Sequence, residues 1–182
     1  MDDNEATEAD RTSLEAALGR MVYMAATVEM VVEVTGSLMA VGEAETEALM
    51  GNTIGPLAKL TLRYAERASH LDATMLAALE SILADVKVGM DNRNAYVHGS
   101  WGTIDGALVA MNSKGFTKVP GGFRIKPLSM QHLDQLTAEL EELRERMLVW
   151  CNRSFDLQRP DLVAKIEGLE PDDAPPYPAP AV

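Results

Sequence analysis

The chain has 182 residues, 47% of them hydrophobic, with one cysteine and a formal net charge of −12. This is enough apolar material for a real core in one domain of ordinary size, while a single cysteine excludes an intrachain disulfide and a metal site built from thiolates of one chain. The negative charge argues against indiscriminate binding to a polyanion, which is driven by many Lys and Arg contacts to phosphate.

Five acids fall within the first ten residues (Asp2, Asp3, Glu5, Glu8 and Asp10), so residues 1–10 read as a solvated acidic tail. A first helix is predicted over residues 11–41, entered through Asp10, Thr12 or Ser13 as caps. Along it Leu14, Leu18, Met21, Ala25, Val28, Val32, Thr35 and Met39 keep the four-three spacing of a packed seam, and Met24, Val31 and Leu38 widen it. Glu29 and Glu33 interrupt the apolar run of residues 21–42, which with its helical period makes it a poor membrane span. The N-terminus lacks the basic and apolar regions of a secretory signal. The expectation is a cytoplasmic protein with no membrane partner.

A short helical turn over 44–50 and a loose stretch over 51–56 precede a second main helix over 57–68, with Pro56 at its start. Ser69 and Asp72 form a plausible capping box for a third main helix. Leu76, Leu79, Ile82, Leu83, Val86 and Met90 line that helix, and Gly99 supplies a C-terminal stop. Beyond it, residues 103–111 and 122–126 read as short strands, with Pro120-Gly121-Gly122 as turn chemistry, giving a small β-hairpin or three-stranded flap. The last helix opens at Ser129 and repeats Leu133, Leu136, Leu140, Leu143, Met147 and Trp150 until Pro160 bounds it. Residues 169–182 are proline-rich and acidic, a second tail short of core residues. The fold class is therefore mainly α, an antiparallel helical bundle over residues 11–168 with a β insertion before its last long helix.

One stretch reads as chemistry and not as packing: Arg93-Asn94-Ala95-Tyr96-Val97-His98. A guanidinium can fork onto a phosphate and its transition state, and imidazole moves protons near neutral pH. On an ideal helix Arg93 and His98 stand about 140° apart and do not face one another. Asn94 and His98 share a face, so the amide can orient the imidazole, whereas Arg93 continues the apolar line of Leu79, Ile82, Val86 and Met90. A permanent charge on a buried seam needs a partner or a phosphate. Two copies packed about a twofold axis would gather both residues around one cleft, and a symmetric dimer is the commonest oligomer.

The run Arg-Asn-x-x-x-His after three helical segments, followed by Gly99 and Trp101, resembles the signature of the HEPN superfamily, an Arg, four to six residues and a His, with a polar residue usually following the Arg. The resemblance implies a helical, commonly dimeric domain and a metal-independent endoribonuclease of the kind found in toxin–antitoxin, abortive-infection and RNA-processing systems, with an antitoxin or other protein as a further partner. Carried over by position, Arg93 would stabilise charge on the scissile phosphate and Asn94 would position His98 or the phosphate. His98 would then serve as base toward a ribose 2′-hydroxyl or acid toward the leaving oxygen.

Lys114, Lys118, Arg124 and Lys126 lie in a segment without any acid between Asp105 and Asp134. They make a candidate RNA-tracking flap or the exposed face of a hairpin, and Trp101 either stacks on a base or packs at the helix end. His70 and His132 read as surface residues, and no His/carboxylate pair has ligand spacing, so neither metal nor cofactor is expected. The competing reading is a non-catalytic dimerisation or docking module, in which Arg93 latches onto Glu29 or Glu33 and His98 only complements the helix dipole.

Overall fold

The computed structural model describes residues 8–112 and 124–158. They form helices α1 (Glu8–Met39), α2 (Glu43–Glu47), α3 (Ile54–Ala65), α4 (Ala73–Val97) and α5 (Met130–Gln158), with strands β1 (Ser100–Ile104), β2 (Ala107–Asn112) and β3 (Arg124–Pro127) between the last two. The architecture is mainly helical with one small antiparallel sheet, in strand order β1-β2-β3.

The core sits where α1 lies along α5 and α3, and where α4 packs on α5. Met21, Ala25, Val28, Val32, Thr35 and Met39 of the expected α1 seam are buried, as are Leu133, Leu136, Leu140, Leu143, Met147 and Trp150 of α5. Cys151 is free and buried beside them, where it behaves as a small hydrophobe. Two bonds lock α5 to α4 and its approach: the Trp150 indole N–H donates to the Met75 carbonyl at 2.8 Å, and His70 Nε2 meets the buried Ser154 hydroxyl at 3.2 Å. His70 is thus half-buried and engaged, not a surface residue. His132 is likewise half-buried, its Nδ1 lying 2.6 Å from Ser129 Oγ.

Residues 11–39 are long and apolar enough to cross a membrane by length and composition. In this fold the buried seam accounts for much of that apolar content, since 44% of its most apolar window is covered by the protein itself.

Several boundaries differ from expectation for local reasons. Helix α1 starts at Glu8, inside the expected acidic tail. Helix α3 starts at Ile54, so Pro56 is its third residue and not its first; the first turn has no intrahelical use for those N–H groups, and proline costs nothing there. That helix also stops at Ala65, where Arg67 N–H to Tyr64 and Ala68 N–H to Ala65 tighten into i→i+3 bonds. Asp72 caps α4 by accepting from the Met75 N–H at 2.8 Å. The expected strand over 103–111 is broken by a two-residue turn, Asp105 at φ 50° and Gly106 at φ 77°. β1 and β2 thereby form a hairpin with Trp101 opposite Ala110, as an Asp-Gly pair with both residues at positive φ favours.

Outside the core, Arg67 forks onto Glu45 at 2.7 and 2.8 Å, fastening α2 to the end of α3. The guanidinium, helped by the Val41 backbone N–H, holds the Glu45 carboxyl down at about 2.

Candidate active site

Four residues of α4 and its cap, Lys87, Asp91, Asn94 and His98, are spaced four, three and four apart, so they run down one side of the helix. Glu29 of α1 and Thr53, Ile54 and Gly55 at the start of α3 border the same space, and Arg93 enters it too. Together these nine residues line a cavity of about 460 Å³.

Arg93 and His98 both line this cavity within a single chain. His98, the C-cap at φ −108° and ψ 4°, keeps its helical position on the Asn94 side. The Arg93 side chain bridges the angular gap: it turns toward the Asn94 side, where Nη1 donates to Asn94 Oδ1 at 2.9 Å. The amide oxygen thus orients the guanidinium and not the imidazole. His98 is exposed, and its backbone N–H closes the last turn on the Asn94 carbonyl at 3.0 Å.

The guanidinium is half-buried and not spent on a carboxylate. Among the described residues no ion pair joins Arg93 to Glu29 or Glu33, and Arg93 Nε is a buried donor without a hydrogen-bond partner. An unmet buried donor costs about 1–3 kcal/mol. The nitrogens at the tip of a guanidinium form a fork that matches phosphate geometry. The amino end of α3 adds its partial positive charge to the same space; its N-cap, Thr53, makes no side-chain capping bond.

Gly99 explains how His98 is held at the lip. A Cβ there would come 2.3 Å from the Ala95 carbonyl oxygen and 2.9 Å from the Met111 carbonyl oxygen. Its φ is not positive, so the glycine serves a close approach between the end of α4 and β2 and not a left-handed helix stop.

Of the expected flap residues, Lys126 is placed away from this cavity. Lys126 of β3 donates to Asn92 Oδ1 at 2.6 Å and lies 6.0 Å from the centre of the Tyr96 ring. With those two residues, His132, Gln135, Leu136 and Glu139, it lines a separate cavity of about 140 Å³. Tyr96 itself donates to the Pro127 carbonyl at 3.3 Å, and burial, with Glu139 nearby, pushes its phenol up from the usual range. Trp101 is part-exposed on β1 with its indole N–H given to the Tyr96 carbonyl at 2.9 Å, so it closes the helix end. Arg124 opens β3; Lys114 and Lys118 lie outside the described residues. Among the described residues there is no cluster of three or more His, Cys, Asp or Glu able to hold a metal ion.

A larger groove of about 550 Å³ between α4 and α5 is floored by Met75, Ile82, Val149 and Trp150, and its Arg146 is held by Asp85 at 2.9 Å. It carries apolar contact and no convergent acid/base pair.

Sequence reasoning found Arg93, Asn94 and His98 but treated Glu29 only as an interruption or a latch, and passed over Lys87 and residues 53–55. The signal for Glu29 was present, a carboxylate in an otherwise apolar helix; residues 53–55 are brought in only by tertiary packing. No family model matches the chain, and neither a curated protein nor a solved structure matches it.

Proposed function

We propose that the protein is a metal-independent endoribonuclease of HEPN type that cleaves RNA by acid–base catalysis at the Arg93–Asn94–His98 cavity. The observation that carries this reading is the half-buried Arg93 guanidinium, oriented by Asn94 and without a carboxylate partner among the described residues, in one cavity with an exposed imidazole. A latch between helices would instead satisfy that guanidinium with Glu29 or Glu33. In the proposed reaction Arg93 takes up charge on the phosphate as the 2′-oxygen attacks, and His98 moves a proton.

The reading is tested by incubating purified protein with single-stranded RNA in excess EDTA. Cleavage is expected to survive chelation and to leave ends with 2′,3′-cyclic phosphate. RNA that stays intact with and without divalent ions would favour the docking-module reading.

The homodimer belongs to the proposal because α1 carries a second, exposed seam. Tyr23, Thr27, Met30, Val34 and Ser37 keep a four-three spacing on the side of α1 away from the core, and Tyr23, Met30 and Val34 are exposed. This is the seam of a helix with a partner. A groove of about 480 Å³ along it includes Glu29, so a second copy seated there would flank the RNA cavity. We expect the wild type to sediment as a dimer and Met30→Glu as a folded monomer; two dimers, or two monomers, would contradict this interface. A defence or stress effector in the cytoplasm, silenced by an antitoxin that covers the cavity, is the setting such an enzyme fits.

A further inference from the structure

Cleavage of RNA by its own 2′-hydroxyl moves two protons, one off the attacking oxygen and one onto the departing 5′-oxygen. A single imidazole does not serve as base and acid in the same concerted step. The guanidinium of Arg93 stays charged throughout and gives no base, and Asn94 does not titrate in this range. With these residues alone the ribonuclease reading, on which the inference rests, lacks one proton-transfer group.

The opposite wall of the cavity carries one. Glu29 stands on α1, facing the α4 residues across the cavity. It is half-buried and, among the described residues, has neither an ion pair nor a hydrogen bond to its carboxylate. Ala25 precedes it by one turn, and Glu33 follows by one, so its own helix offers no cation at the neighbouring turns. Placing a carboxylate in a half-buried position without a partner has a desolvation cost, and packing of α1 does not require it: the seam of Ala25, Val28 and Val32 runs beside it. The other titratable or charged groups that face it are Lys87, Asp91, Arg93 and His98 of α4, while α3 contributes Thr53, Ile54 and Gly55 and no charge. Asp91 is exposed and already engaged with another group.

We infer that Glu29 is a catalytic residue, the general base that complements His98 as general acid in a single-chain site. The Glu29 carboxylate takes the proton of the ribose 2′-hydroxyl while the 2′-oxygen forms its bond to phosphorus. The bond from phosphorus to the 5′-oxygen breaks, and the His98 imidazolium gives its proton to that oxygen. The non-bridging oxygens rest on the Arg93 guanidinium. The products are a 2′,3′-cyclic phosphate and a 5′-hydroxyl, with Glu29 protonated and His98 neutral; exchange with water restores both. Charge and protons balance without a further reactant.

The test compares kcat/KM against pH for wild type, Glu29→Gln and Glu29→Asp, alongside Tm and Kd for an oligonucleotide made uncleavable by 2′-deoxy substitution. A bell-shaped profile is expected for the wild type. Glu29→Gln is expected to lower kcat/KM about 10²–10⁴-fold, the usual range for losing a proton-transfer group, and to lose the acidic limb while keeping Tm and Kd. Glu29→Asp is expected to retain that limb at reduced rate. Glu29→Gln activity within about threefold of wild type with both limbs intact would overturn the assignment while leaving the ribonuclease reading in place. A fall in Glu29→Gln that parallels its Tm and Kd would overturn it as well, by making Glu29 structural. Absence of cleavage by the wild type at every pH would overturn both readings together.

Discussion

Arg93→Ala is expected to lower RNA cleavage by about 10²–10³-fold, the loss that follows removal of a preorganised donor to transition-state charge, with little change in Tm. The reasons lie in the surroundings of the side chain. Arg93 is half-buried, yet its Nε has no protein acceptor and its Nη1 is held by a neutral amide, Asn94 Oδ1 at 2.9 Å. Removing it strands no buried carboxylate among the described residues and relieves an unmet donor, so the folded state loses little. Arg93→Lys is expected to recover only part of the rate, because an ammonium keeps the charge without the fork. Cleavage kinetics and thermal melts of the same preparations check both statements. A large drop in Tm with Arg93→Ala would mean that the guanidinium is structural, as the latch reading requires.

Gly99→Ala is expected to have the larger structural effect, a destabilisation on the order of 2–3 kcal/mol, in the range of overpacking a well-filled site. The added methyl would meet backbone on two sides, the carbonyls of Ala95 and Met111, and backbone cannot turn away as a side chain can. Relief requires parting the end of α4 from β2, which displaces His98 from the cavity lip, so activity is expected to fall more steeply than stability alone explains. Gly19→Ala is the matched control: nothing lies within 4 Å of its added Cβ, and an alanine inside α1 is expected to stabilise by about 0.5–1 kcal/mol. Gly36→Ala should fall between them, since its close neighbours are the Thr61 hydroxyl and the tips of Leu49, which can move. Denaturant midpoints of the three variants check the order; equal stability of Gly99→Ala and Gly19→Ala would refute the account of the α4–β2 junction.

How far the sequence carried these conclusions differs from element to element. The long seams were legible because period and burial coincide: every apolar position of the α5 stripe that spacing marks is buried. The hairpin was half legible. Residues 103–111 have strand composition, but Asp105-Gly106 within them is turn chemistry, and the even run of apolar residues on both sides hid it. Gly99 was picked out correctly and explained wrongly, since a glycine demanded by close approach is identical in sequence to one demanded by positive φ. The cavity shows the same limit. Arg93, Asn94 and His98 are neighbours in sequence and could be read together, whereas Glu29 joins them only through the packing of α1 and α3 beside α4. Spacing along α4 puts His98 on the Asn94 side, while the reach of the Arg93 side chain to Asn94 is a rotamer that spacing does not encode.

A cavity built within one chain also changes the part a dimer would play. With acid, guanidinium and a carboxylate bordering one cavity, a second copy is not needed to complete the chemistry. In the proposed dimer it would instead cover the exposed line of Tyr23, Met30 and Val34 and flank the path proposed for the RNA. With a net charge of −12, binding would depend on Lys87, Arg93 and the amino end of α3 in a cavity that also holds Glu29 and Asp91, and not on a broad basic surface.

The central claim is that His98 and Arg93 act on a phosphodiester in the cavity they share. Mass spectrometry of the ends left on a defined oligoribonucleotide, digested in EDTA by wild type and by His98→Ala, tests it most directly. The account predicts 2′,3′-cyclic phosphate and 5′-hydroxyl ends with the wild type and intact RNA with His98→Ala at equal Tm. The same ends appearing at the same rate with His98→Ala would contradict it.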